Sequence, residues 1–92
     1  MSQELRDNPQ AGRYELHTED GLIASAEYAA HGDAVAITRV FTRPTHRNQG
    51  LAAVITEYAV DSISASGRKV VPVCSYAEAW YAHHPERADT LA

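Results

Sequence analysis

The 92-residue chain sets eight Lys and Arg against twelve Asp and Glu, a net charge of −4, with 45% apolar and 22% charged residues. This composition fits one globular domain over residues 1–92, near the lower size at which a core forms without disulfides or metals. It argues against a nucleic-acid binder, which shows a basic stripe, and no apolar run approaches the roughly 20 residues of a membrane span. The start, Met1-Ser2-Gln3-Glu4-Leu5-Arg6, lacks the apolar core of a signal peptide, so the cytoplasm is the expected compartment. Cys74 is the single cysteine and is expected as a free thiol. With no Cys-x-x-Cys or His-x-x-x-His pair, no metal site is expected.

Residues 1–12 are polar, with Pro9 and Gly12 as breakers, and read as a loose N-terminal lead. Arg13 to His17 alternates, with Tyr14 and Leu16 on one face, as a half-buried strand does. Asp20-Gly21 signals a hairpin turn and Leu22 to Tyr28 a second strand. His31-Gly32-Asp33 is a further turn. Ala34 to Thr42 follows as a third strand, with Val35, Ile37, Arg39 and Phe41 expected on one face. Pro44 stops it, and apolar or small residues at Leu51, Val54, Ile55, Tyr58, Ala59, Ser62 and Ile63 mark one stripe of a helix over about 49–66. Gly67 suits the position just past that helix.

Val70 to Cys74 is a short, mostly apolar strand. A strand, a crossover helix and another strand normally place the two strands parallel. Pro72 cannot donate to a ladder and suits an edge, or a place where pairing breaks on one side. Ser75-x-x-Glu78 has the form of a capping box, so a second helix is expected from Tyr76 to near His84, ahead of Pro85. A last helical turn fits 86–92.

The loop Arg43-Pro44-Thr45-His46-Arg47-Asn48-Gln49-Gly50-Leu51-Ala52 enters the long helix. The first N–H groups of a helix lack intrahelical acceptors and carry the positive end of its dipole, a combination that favours an anion, most often a phosphate. At Gly50 a side chain would hold a ligand away from the backbone. Arg47-x-x-Gly50-x-Ala52 is similar to the pyrophosphate loop of the GNAT acetyltransferase superfamily. Cys74-Ser75-Tyr76-Ala77-Glu78-Ala79-Trp80-Tyr81 matches the Ala and Tyr of a second GNAT motif, with Cys74 replacing its Asn. Pro72-Val73-Cys74-Ser75-Tyr76, then Tyr81, then His84-Pro85-Glu86 resembles a short branch of that superfamily. Asn8 through Arg13-Tyr14-Glu15-Leu16 and the 21–28 hairpin also look like that branch. One departure concerns Arg39-Val40-Phe41-Thr42, where the branch often has His-Thr-Glu-Val; the Glu that could act as a base is missing.

The resemblance implies a small α/β (α+β) domain, a minimal GNAT-like fold with a mixed, mostly antiparallel sheet and two main helices. It implies acetyl-CoA as co-substrate and an amine acceptor, small molecule or protein, left unnamed. Diphosphate would lie on the amides of Asn48, Gln49, Gly50, Leu51 and Ala52, with Arg47 helping. The pantetheine arm would pair with Val40, Phe41 and Thr42 like an added strand. An N–H at Val40 or Phe41 would polarise the thioester carbonyl. Cys74, ahead of a helix, is either an acylated nucleophile, or at least a thiol lining the site beside the thioester, or a buried cysteine acting as a small hydrophobe.

Tyr81 is either the acid that protonates the departing sulfur or a core aromatic, with Tyr76 a weaker candidate and His83 or His84 a candidate base. Arg68-Lys69 could meet the CoA 3′-phosphate or be a solvated pair; Glu57 and Asp61 read as solvated. With no residues left to wall the acceptor side, it is expected shallow or completed by another chain or a large substrate, which leaves homo-oligomerisation open. The rival reading is a CoA-binding module with little catalysis, and a further one is a plain interaction domain.

Overall fold

The computed structural model describes residues 2–92. Strands β1 (Glu4–Asn8), β2 (Arg13–Thr18), β3 (Gly21–His31) and β4 (Ala34–Thr42) run into helix α1 (Leu51–Ala65). Strand β5 (Lys69–Pro72) and helix α2 (Ser75–Ala82) follow, with 3-10 segments at Pro44–His46 and Pro85–Thr90. The sheet order is β1-β2-β3-β4-β5, with β1 to β4 antiparallel and β5 parallel to β4. This is the mixed, mostly antiparallel α/β arrangement with two main helices that the sequence implies, including the parallel crossover through α1.

Three expectations need correcting. The N-terminal lead is not loose between Glu4 and Asn8, where it forms β1 in register with β2 from Glu4↔His17 to Asn8↔Arg13. Pro9 and Gly12 belong to the connecting turn, where the Ala11 and Gly12 amides donate to the Asn8 and Pro9 carbonyls at 3.1 and 3.2 Å. The face assignment of β4 also fails halfway. Glu27 pairs with Arg39 and Tyr28 with Ile37, so Thr38 is an extra residue in a β-bulge. A bulge re-phases everything beyond it. Val40 therefore joins Val35 and Ile37 against the core, and Arg39 and Phe41 move to the opposite face. Finally, the Ser75-x-x-Glu78 capping box does not form: Cys74 is the N-cap, in extended conformation, and no side chain caps the helix.

Helices α1 and α2 pack into one core on the inner face of the sheet. Alanines at 24 and 26 leave room for α1, which buries Ile55, Ala59, Val60 and Ile63 at no more than 1% exposure. Each large aliphatic buried this way contributes about 1.5–3 kcal/mol. Tyr14 contacts Tyr28 and Tyr58, with ring centroids 4.6 and 5.8 Å away. The C-terminus of α1 closes through Gly67 at φ +81°, with the Gly67 and Arg68 amides donating to the Ser64 and Ile63 carbonyls. That is the paired bonding of a glycine-terminated helix.

The outer face carries polar side chains and no helix among the described residues. At its centre Glu15 is 4% exposed, receiving hydrogen bonds from Asn8 (3.0 Å), Arg13 (2.6 Å) and His17 (2.8 Å). Burial works to raise its pKa, but the three bonds outweigh that and hold it at about 2.

Candidate functional site

Strands β4 and β5 separate partway along. Their pairing runs only from Ala34↔Lys69 to Ile37↔Pro72. Pro72 ends the strand, and the Val73 and Cys74 amides both turn in to the Ile37 carbonyl at 3.1 and 3.0 Å. Thr38 to Thr42 thus have β3 on one side and no strand on the other. The Arg43 amide donates to the Ile23 carbonyl of β3 at 2.7 Å. Alternation along an antiparallel ladder then points Arg39 and Phe41 toward β3, and Val40 and Thr42 toward the open side. The two candidate carbonyl donors are thereby separated: the Phe41 amide is spent on β3, and the Val40 amide is free.

The open strand edge leads directly into the loop. Asn48 and Gly50 both take left-handed backbone, at φ 67° and 74°, which turns successive amides toward one side ahead of α1. The N–H groups of residues 48–53 meet no acceptor among the described residues, and no side chain caps the helix. A Cβ on Gly50 would point into open space. The Thr42 hydroxyl oxygen is buried at the head of the loop without a partner. Arg47 is exposed and Arg43 half-buried, and neither forms an ion pair among the described residues. The loop is braced against the β2–β3 turn by His46 Nε2 and Asp20 Oδ2, 3.3 Å apart.

Six unpaired amides, the unpaired Arg47 guanidinium and an orphaned hydroxyl make a donor set suited to a diphosphate. Ala53 extends the amides beyond those singled out by the sequence motif, while Arg43, also unpaired, has its Nη2 3.7 Å from where a Cβ on Gly21 would stand, beside the β2–β3 turn.

Cys74 sits where β5 leaves β4, half-buried against the core. Tyr81 is a different matter. Its hydroxyl is engaged with Thr90 Oγ1 at 2.7 Å, its ring packs edge-on to Trp80, and burial raises its pKa. Seven residues of helix separate it from Cys74, a rise of about 10 Å, so the two are not brought together as a pair. His84 donates from Nδ1 to the Trp80 carbonyl at 2.7 Å and stacks on the indole, which makes it a helix-end fixture. Tyr76 is 38% exposed in the first turn of α2.

Arg68 and Lys69 lie beyond the C-terminal end of α1, about 22 Å along the helix from the loop. Lys69 Nζ is bonded to the Asp89 carbonyl at 2.6 Å, so this pair lies apart from the amides of the loop. Asp61 is paired with Arg87 rather than merely solvated. Among the described residues no cluster of His, Cys, Asp or Glu could hold a metal ion, and no helix is long and apolar enough to cross a membrane.

The split parallel pair and the amide-rich turn thus lie at the same end of a mixed α/β sheet. The family model described as GCN5-related N-acetyl-transferase matches residues 13–90, and the chain belongs to that family. No curated protein sequence matches it. Among solved structures it resembles a GCN5-like putative N-acetyltransferase from Staphylococcus aureus, with TM-score 0.75 and 14% identity over 97% of this chain and 87% of that one. It also resembles the ribosomal-protein-S18-alanine N-acetyltransferase of Escherichia coli, with TM-score 0.65 and 19% identity over 78% of this chain. The chain spans half the length of that second enzyme. At these identities the two structures speak for the fold.

Proposed function

We propose that the chain transfers an acetyl group from acetyl-CoA to an amine, and that the split between β4 and β5 is where the thioester lies. The observation that carries this reading is the closeness in sequence of two sets of free backbone groups: a strand edge free from Thr38 to Thr42 and, past the short 3-10 turn at Pro44–His46, amides at 48–53 without acceptors among the described residues. The amides of Asn48 to Ala53 hold the diphosphate, aided by Arg47. The Val40 and Thr42 backbone groups align the pantetheine arm as an added strand. Acetyl-CoA supplies an acyl group already activated as a thioester. The Val40 N–H is placed to polarise its carbonyl, an interaction typically worth about 2.7–4 kcal/mol at such positions.

The neutral amine attacks the carbonyl carbon, a C–N bond forms, the C–S bond breaks, and CoA leaves as thiolate. The proton lost by nitrogen passes to solvent at this open site. Cys74 lines the floor of the split and stays unacylated in this reading. Tyr81, bonded to Thr90, supports α2 from within the core. Phe41 on the outer face, where the short branch often has Glu, favours the rival reading of a binding module with little turnover.

Intact-mass measurement after incubation with acetyl-CoA, paired with CoA-thiol release over a panel of amines, tests the proposal. Thiol release that depends on an amine, without an adduct, supports direct transfer. An acetyl adduct abolished in Cys74→Ala replaces it with an acyl-enzyme route, and neither signal, despite a thermal shift with acetyl-CoA, leaves the binding module.

A further inference from the structure

The two edges of the sheet are finished differently. At the β5 edge, Leu91 bridges to Val70, the Ala92 amide donates to the Val70 carbonyl at 2.9 Å, and Pro72 has no N–H to offer. At the other edge β1 pairs with β2 alone, and nothing among the described residues covers its outer side. An uncovered edge strand without proline or bulge is a template for another strand.

Its side chains define what that strand can be. Leu5 lies on the helix side, opposite Leu16, is 37% exposed, and borders a groove of about 310 Å³ with Val54 and Tyr58. Glu4 and Arg6 lie together on the outer face and pair with each other.

From this edge we infer that β1 pairs antiparallel with β1 of a second copy, centred on Leu5, to form one ten-stranded sheet. A two-fold axis perpendicular to the sheet keeps like faces together, so the centre must fall on a residue. Centring on Glu4, Arg6 or Asp7 sets that residue's charge against its own copy. Centring on Leu5 opposes Leu5 to Leu5 on the helix side. It also sets Glu4 against Arg6 twice on the outer face, turning two intrachain pairs into an alternating set of four charges. Opposite-charge and apolar cross-strand pairs add to what the main-chain bonds contribute. Both splits between β4 and β5 then lie at the far ends of the joined sheet, away from the contact.

Sedimentation velocity over a concentration series reads the mass directly, the single chain being 10.1 kDa. The wild-type chain is expected to approach about 20 kDa, twice that mass, with rising concentration. Glu4→Arg alone and Arg6→Glu alone are each expected to stay monomeric. Their equimolar mixture, and the double swap carrying both changes, are expected to recover the dimer, because position 4 again meets the opposite charge at position 6. The mixture also separates a lost interface from a lost fold, since misfolded single variants could not rescue each other. A wild-type chain that stays monomeric to millimolar concentration, or single variants that dimerise as the wild type does, would overturn the inference. Val73→Asp, at the sealed edge, serves as the control and leaves the mass unchanged.

Discussion

Replacing Glu15 by Gln should destabilise the fold in a way that depends on pH. The carboxylate is 4% exposed and holds hydrogen bonds from Asn8, Arg13 and His17. A carboxyl held at about 2 instead of its ordinary 4.5 corresponds to about 3 kcal/mol by linkage. Gln keeps an acceptor oxygen for part of this network, and hydrogen bonds to a charged group exceed neutral ones by about 1–1.5 kcal/mol, so the loss expected in Glu15→Gln is about 1.5 kcal/mol. The folded pKa is depressed, so this stability is present above 4.5 and is lost as pH falls toward 2. Urea denaturation of the wild type and Glu15→Gln at steps from pH 7 to pH 3 is the assay. The gap should be about 1.5 kcal/mol at pH 7 and shrink steadily below pH 4.5. A gap that ignores pH would refute the electrostatic account, and equal stability at pH 7 would mean that the charge on Glu15 contributes nothing.

Four other outcomes follow from the same geometry. Gly50→Ala forces a side chain into left-handed backbone at φ 74° and should cost roughly 1–2 kcal/mol by thermal melts, while weakening acetyl-CoA binding in calorimetry. Val40→Pro removes an N–H that faces the open edge and not β3; it should keep the fold by circular dichroism and lower kcat by about 10²–10³-fold. Tyr81→Phe loses the bond to Thr90, so it should lower stability by about 1 kcal/mol and leave kcat near wild type. Arg68→Ala with Lys69→Ala should leave the KM for acetyl-CoA unchanged, since Lys69 is held by Asp89 at the far end of α1.

Local chemistry made much of this chain readable in advance. The third strand was expected over Ala34 to Thr42 and is found there, because alternating side chains end at a proline that no strand interior accepts. Gly67 terminates its helix as its residue type suggests. What escaped was set by partners distant in sequence. Pro9 and Gly12 look alike in a coil and in a hairpin turn, and only the pairing of Glu4–Asn8 with β2 distinguishes them. The bulge at Thr38 has no local signature, yet it decides that Val40 and not Phe41 faces the core. The loop around Gly50 was legible as a motif because main-chain amides need a glycine and not a particular side chain. The engagement of Tyr81 by Thr90 was hidden because it depends on how the C-terminal 3-10 segment folds back.

The molecule is only 19 Å across its shortest dimension, with helices on a single side of the sheet. A thioester lodged between β4 and β5 would stand one strand's depth from bulk solvent on the bare side. Hydrolysis would then compete with aminolysis at every turnover, and slow CoA release in acceptor-free buffer would be the signature of so thin a catalyst.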